Sequence, residues 1–245
     1  MIDLKGKTIL ITGASSGIGK ATALCCSKLG ARTLLTGRNA STLASVKEQS
    51  ENSTSFTADL SNENEIEQLV KELPSIDGMV HCAGIVKPYP IKYIKSKNID
   101  EIFHINFNSA VLLCSNLLQS KKINSGASLV FISSVSSEHP YTGGGLYSAS
   151  KAALESFSKT LALENASRKI RSNIVSPALV RTAIWEEIAA SLSAEELQRV
   201  EMQYPLGIGT PEDVASTISF LLSDSSKWIT GTTIKMDGGL LLKNS

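Results

Sequence analysis

The chain has 245 residues, enough to bury one sizeable core, and its 24 Lys and Arg balance 23 Asp and Glu to a formal charge of +1. That balance supplies no basic field for nucleic acid, and no run of about 18 apolar residues reads as a membrane span. Cys25, Cys26, Cys82 and Cys114 lack CxxC spacing and the three histidines are scattered, so neither a disulfide framework nor a metal site is expected.

Met1-Ile2-Asp3-Leu4-Lys5 leads straight into a strand rather than an apolar leader, which predicts a cytosolic location. The first strand, 7–12, runs into Thr12-Gly13-Ala14-Ser15-Ser16-Gly17-Ile18-Gly19, and a helix over 17–29 opens inside that loop. Gly13 suits a tight turn, Gly17 the close approach of a pyrophosphate and Gly19 close helix packing. The helix N-terminus adds free amides and a positive dipole, so the loop reads as a dinucleotide phosphate site. The second strand, 31–36, ends in Gly37-Arg38-Asn39, where folds of this kind carry an acid when they bind the ribose hydroxyls of NAD. No acid stands there. Gly37 leaves room for a 2′-phosphate and Arg38 offers it charge-assisted hydrogen bonds, so NADP(H) is expected.

A helix over 40–50, a strand over 54–58 ending at Asp59-Leu60, a helix over 62–72 and a strand over 77–82 leading to Ala83-Gly84 follow. A long helix over 98–122 carries Asn106, a residue type unfavourable in a helix interior. The strand 127–133 ends at Ser133-Ser134, and a helix over 147–168 opens on Tyr147-Ser148-Ala149-Ser150-Lys151. Its i, i+4 spacing puts phenol and ammonium on one face. A tyrosine with its ordinary pKa of about 10 is a poor base at neutral pH. An ammonium about 4 Å away favours the phenolate by up to about 4 kcal/mol at an effective dielectric of 20, which predicts a lowered Tyr147 pKa.

After a strand over 170–176, residues 183–204 set Trp185, Ile188, Leu192, Leu197 and Met202 at near-helical spacing. A helical lid over the substrate and plain surface packing fit that pattern equally. Thr210-Pro211-Glu212-Asp213 then supplies N-cap, N1 proline and acidic first turn to a helix over 211–222, and a last strand covers 231–236. The alternation predicts one α/β domain over 1–245, of the Rossmann-type doubly wound kind with a seven-stranded parallel sheet.

The TGxxxGxG spacing, with Asn106, Ser134, Tyr147 and Lys151 in that order, resembles the short-chain dehydrogenase/reductase family over nearly the whole chain. Within that family the pattern is most like the 3-oxoacyl-acyl-carrier-protein reductases. The resemblance implies an NADPH-dependent oxidoreductase that interconverts a carbonyl and an alcohol, with a 3-oxoacyl thioester as the first substrate to expect. Tyr147 would give or take the proton, Ser134 would steady the substrate oxygen, and Lys151 would serve both the phenol and the nicotinamide ribose. Asn106 would hold a water in the proton relay. Cofactor contacts are implied at Ser15, Ser16, Ile18, Leu60, Ala83, Gly84, Pro177, Val180 and Thr182 beside the glycines. Asp59 would meet the adenine edge, its alternative being to cap a turn. Arg168 coincides with a basic position for docking the acidic acyl carrier protein. A homotetramer or homodimer would form through the helices of 98–122 and 147–168 and the C-terminal segment. The alternatives are a reductase of another small ketone, sugar or steroid-like alcohol, and a non-catalytic NADPH-binding sensor. Two departures stand out: His81-Cys82 replaces two asparagines whose amides brace the sheet and flank adenosine, and Ala178 replaces a glycine in the nicotinamide loop.

Overall fold

β1 (Thr8–Thr12) is apolar on both sides because both of its faces are covered: Ile9 and Ile11 join one core and Leu10 the other. The computed structural model describes residues 2–190 and 192–243, apart from the side chains of Ile184, Glu187 and Ile188. In it β1 is joined by β2 (Arg32–Gly37), β3 (Ser53–Thr57), β4 (Ile76–His81), β5 (Ile123–Ile132), β6 (Arg171–Pro177) and β7 (Thr233–Met236). All pair in parallel, in the order β3-β2-β1-β4-β5-β6-β7. The order reverses at β1 and β4, so a crevice opens at the carboxyl ends of those strands.

The connections carry α1 (Gly17–Lys28), α2 (Ala40–Glu48), α3 (Glu63–Glu72), α4 (Ser96–Phe103), α5 (Ser109–Gln119) and α6 (Gly145–Glu164). Then come α7 (Ala183–Ala190), α8 (Ala194–Glu201) and α9 (Pro211–Leu222). α3, α5 and α6 bury Ile66, Leu113 and Leu154 against one face of the sheet, while α1, α2 and α9 bury Ala23, Leu43 and Val214 against the other. The start of α9 is built as its sequence predicts. The Thr210 hydroxyl accepts from the Asp213 amide at 3.2 Å, and the Asp213 carboxylate accepts from the Thr210 amide at 2.7 Å.

Three expectations are corrected. The helix expected over 98–122 is three pieces, with a π-helical turn, His104–Asn108, between α4 and α5. β5 starts at Ile123, four residues early, because Ile76 on β4 already pairs with Ile123 before a register shift. The helix expected over 147–168 begins at Gly145 and ends at Glu164. The lid segment is two short helices, α7 and α8; the Ile188 side chain named in its pattern lies outside the described residues. Among the described residues no helix is long and apolar enough to cross a membrane.

Candidate active site

A cleft of about 700 Å³ lies at the carboxyl edge of the sheet. Every residue that the sequence points to for the cofactor or the reaction lines it, except Asn106 and Lys151.

The floor is the loop between β1 and α1. Gly13 and Gly17 hold φ of 62° and 51°, the left-handed region that glycine enters without strain. A Cβ on Gly19 would overlap the Gly13 carbonyl oxygen and lie 2.7 Å from its carbon, and one on Gly13 would lie 3.0 Å from the Ala83 nitrogen. Asn39 and Thr210 cap α2 and α9 with their own side chains, whereas Ser16 makes no such bond at the start of α1. The amides of that first turn are thus left for an anion, which fits a dinucleotide's phosphates. Gly37 and Arg38 border the cleft beside Asp59. The Asp59 carboxylate accepts from the Ser61 amide at 2.9 Å and its hydroxyl at 2.7 Å. Those bonds outweigh burial and, with the Arg38 guanidinium, hold Asp59 below the usual carboxylate range. Asp59 therefore caps a turn and lines the cleft at once.

Ser134, just past the end of β5, and Tyr147, in the first turn of α6, both line the cleft. The Ser134 hydroxyl oxygen accepts from the Ser136 hydroxyl at 3.0 Å. The Ser133 hydroxyl is taken up by Glu155, to which it donates at 2.6 Å, whereas the Ser134 hydroxyl is the one that acts on the Tyr147 phenol. Burial pushes the Tyr147 phenol up to about 12, against the hydrogen bond from Ser134. Lys151 does not lower it. Its ammonium stands 5.8 Å from the centre of the Tyr147 ring, donates to the Ile132 carbonyl at 2.8 Å, and is itself pushed down to about 8 by burial. The expected direction for Tyr147 is reversed because desolvation of the phenolate exceeds what a cation at that range returns.

Asn106 sits wholly buried in the π-helical turn, whereas Asn108 is exposed. Its amide oxygen accepts from the Ile85 amide at 2.8 Å, and its NH2 donates to the Ile85 carbonyl at 3.0 Å and the Ser150 hydroxyl at 3.2 Å. A Cβ on Gly84 would lie 3.2 Å from the Asn106 oxygen and 3.3 Å from the Lys151 nitrogen, so these two stand together behind Gly84. π-helical turns recur at functional sites because the extra residue re-aims side chains and frees a carbonyl.

His81 takes over the bracing expected to be lost with the two asparagines. The Thr12 hydroxyl accepts from the amides of Cys82 and Ala83, both at 3.1 Å, so its own proton points to His81 Nδ1 at 3.2 Å. Nε2 then carries the ring proton and faces the Ser109 hydroxyl at 3.5 Å, which donates to Ile105 at 2.6 Å. Burial pushes His81 down to about 3, with the Lys151 charge adding, so the ring stays neutral. One chain of directed hydrogen bonds thereby ties the glycine loop to the π-helical turn.

Over 244 residues, 99% of this chain and 100% of the relative, the sequence is 34% identical to the 3-oxoacyl-[acyl-carrier-protein] reductase FabG of Rickettsia felis. The family described as enoyl-(acyl carrier protein) reductase matches residues 13–241. The chain belongs to the short-chain dehydrogenase/reductase family. It is thus an oxidoreductase acting between a carbonyl and an alcohol with a nicotinamide dinucleotide. The glucose 1-dehydrogenase of Gluconobacter oxydans is 33% identical across 97% of this chain and 92% of its own. A short-chain type dehydrogenase/reductase from Mycobacterium ulcerans superposes with a TM-score of 0.89 at 30% identity, covering 98% of this chain and 91% of that one.

In this short-chain dehydrogenase/reductase cleft, Cys82, Tyr141, Tyr204 and Leu240 also line the wall, as does Trp185 of α7. Tyr204 closes the segment expected as a lid, whereas Cys82, Tyr141 and Leu240 carry no site role in the sequence pattern. For Tyr141 a signal was present: Pro140 and Gly143-Gly144-Gly145 flank it just before Tyr147, a loop composition next to the reacting residues.

Proposed function

We propose that the chain is an NADPH-dependent reductase of 3-oxoacyl thioesters. The observation that carries the reaction is that Ser134 and Tyr147 line one cleft wall, with Asn106 and Lys151 close behind it at Gly84. A bound nicotinamide supplies the hydride. Ser134 donates to the substrate oxygen as charge develops on it, and Tyr147 delivers the proton that makes it an alcohol. Lys151, behind Gly84, offers the ammonium that replenishes this proton, and Asn106 fixes the Gly84-Ile85 backbone against which the ribose would rest. Gly37 and Arg38 favour NADPH through the 2′-phosphate.

For the substrate, the names of the FabG relatives and the wall itself argue together. Val86, Tyr141, Trp185, Tyr204 and Leu240 make a border suited to an acyl chain, where a sugar would call for many more hydrogen-bonding groups. The glucose 1-dehydrogenase relative keeps polyol oxidation as the second reading. The same proposal includes self-association: Trp228 and Leu163 are 97% and 79% exposed, large apolar side chains that a second copy would cover.

The test is a panel of 3-oxoacyl thioesters, 2-enoyl thioesters and polyols with NADPH or NADP+, run on wild type and Tyr147→Phe. The expected result is reduction of the 3-oxoacyl thioester, with turnover lowered about 100- to 10,000-fold in the variant. NADPH affinity should change by less than about twofold, since the substitution removes one hydroxyl and little volume. Preferred turnover of a polyol, or an active Tyr147→Phe enzyme, overturns the reading.

A further inference from the structure

We propose that residues 87–97 are the docking surface for an acidic carrier protein that presents the thioester, an inference that rests on the substrate proposed above. Lys87, Lys92, Lys95 and Lys97 fall within these 11 residues with no acid among them, in a chain whose formal charge is only +1. Lys87 pairs with Glu101, while Lys92, Lys95 and Lys97 are exposed. Between them Ile91 and Tyr93 are 81% and 63% exposed. Lys92 lies over the Tyr93 ring, 4.8 Å from its centre, and large apolar side chains so exposed among lysines are what an anionic protein surface with an apolar centre would meet.

The segment is placed to serve the cleft. Ile85 and Val86, directly before it, line the wall that Tyr141 and Tyr147 also line. It is held in shape by the Tyr89 amide, which donates to the Gly143 carbonyl at 2.8 Å, and by the Tyr89 hydroxyl, which donates to Glu101 at 2.9 Å. A preformed platform loses little freedom on binding. A small free substrate has no use for charges outside the cleft, whereas a carrier must be held while its arm reaches in. Electrostatic complementarity at such a rim acts mainly on encounter and is screened by salt.

Arg168 is poorly placed for the same task. Its guanidinium donates to the Ile123 carbonyl, at the start of β5 and so at the edge of the sheet opposite the cleft. It follows α6, whose 20 residues span about 30 Å and begin beside Tyr147. A carrier docked there would be a helix length from the reacting atoms of this protomer.

The experiment compares kcat/KM for one 3-oxoacyl group linked to carrier protein, to coenzyme A and to a short free thiol. It uses wild type, a Lys92→Glu/Lys95→Glu/Lys97→Glu variant and Arg168→Glu. The expected result is a fall of at least about tenfold for the lysine variant on the carrier-linked substrate, narrowing at high salt, and less than about twofold on the other two. The short thioester also reports that the variant is folded. An equal fall on the coenzyme A thioester means that the lysines read phosphate and overturns the proposal. So does an unchanged carrier-linked rate, or a loss confined to Arg168→Glu. If wild type reduces none of the three, the substrate reading itself has failed; if it reduces the short thioester with no advantage for the carrier-linked one, only the docking surface has.

Discussion

The glycine loop, 12–19, and the two-helix flap, 183–201, border one cleft and are built on opposite terms. In the loop, backbone packs on backbone: Gly19 against the Gly13 carbonyl, Gly13 against Ala83, and the buried Thr12 hydroxyl under two amides. In the flap, α7 and α8 have eight residues each, and α8 buries none of its side chains. Helices that short do not stand alone in water and depend on the few contacts they make. The difference teaches that the loop tolerates no added atom, while the helix pair on the other side of the cleft can adjust. Substitutions in the loop should act as all or none, and those in the flap by degrees.

The largest expected effect tests the rigid side. Gly19→Ala puts a methyl where the Gly13 carbonyl already is, and neither backbone can retreat without unseating Ala83 or α1. NADPH binding, read by fluorescence titration, should weaken at least about 100-fold, and thermal stability should fall as well, since overpacking typically costs about 1–3 kcal/mol or more. Wild-type affinity in this variant would mean that the loop yields, and the contrast with the flap would collapse.

A smaller effect sharpens the same side by asking what the loop leaves to side chains. Arg38 lies past β2 on the cleft border, and its guanidinium is the cation near Asp59. A charge-assisted contact contributes about 1.5–3 kcal/mol, so Arg38→Ala should erase roughly a ten- to hundredfold preference for NADPH over NADH. Gly37→Asp should go further and favour NADH, because the carboxylate repels a 2′-phosphate and accepts from ribose hydroxyls. Dissociation constants for both cofactors decide it; tighter NADH binding by the wild type would sink the assignment.

What was legible from the sequence follows the same division. The strands and the glycine loop were readable because both impose residue types locally: apolar β-branched runs for a sheet covered on both faces, and glycine where no Cβ fits. The break at 104–108 was not. Asn106 and Asn108 are unfavourable in a helix interior but do not say where a turn widens; Asn106 is held by Ile85 and Ser150, far away in sequence, and the Ile105 carbonyl accepts locally from Ser109, which faces His81. His81 was read as the loss of an amide, yet an imidazole with a fixed tautomer braces Thr12 and Ser109 from the same position. The choice between Ser133 and Ser134 is legible only by resemblance; in the structure both line the cleft, and the Ser133 hydroxyl is the one tied to Glu155. The sign of the Tyr147 shift was misjudged because i, i+4 spacing reports proximity to Lys151 and says nothing of burial, which dominates here.

The smallest effect tests the soft side. Among the described side chains of the flap, Trp185 is the large one that is both buried and on the cleft wall, so it is a contact through which α7 would cover a substrate. Trp185→Ala removes apolar area from that cover and leaves Ser134 on the end of β5 and Tyr147 on α6 untouched. With part of the indole's burial lost to the substrate, KM for a long-chain 3-oxoacyl thioester should rise about three- to tenfold, corresponding to roughly 0.7–1.4 kcal/mol of lost contact. Turnover and NADPH affinity should hold within about twofold, and the rise in KM should shrink for a short acyl chain that never reaches the indole. A parallel drop in turnover, or weaker NADPH binding, would show that α7 is coupled to the glycine loop, and that the cleft closes as one body rather than as a fixed floor under a compliant cover.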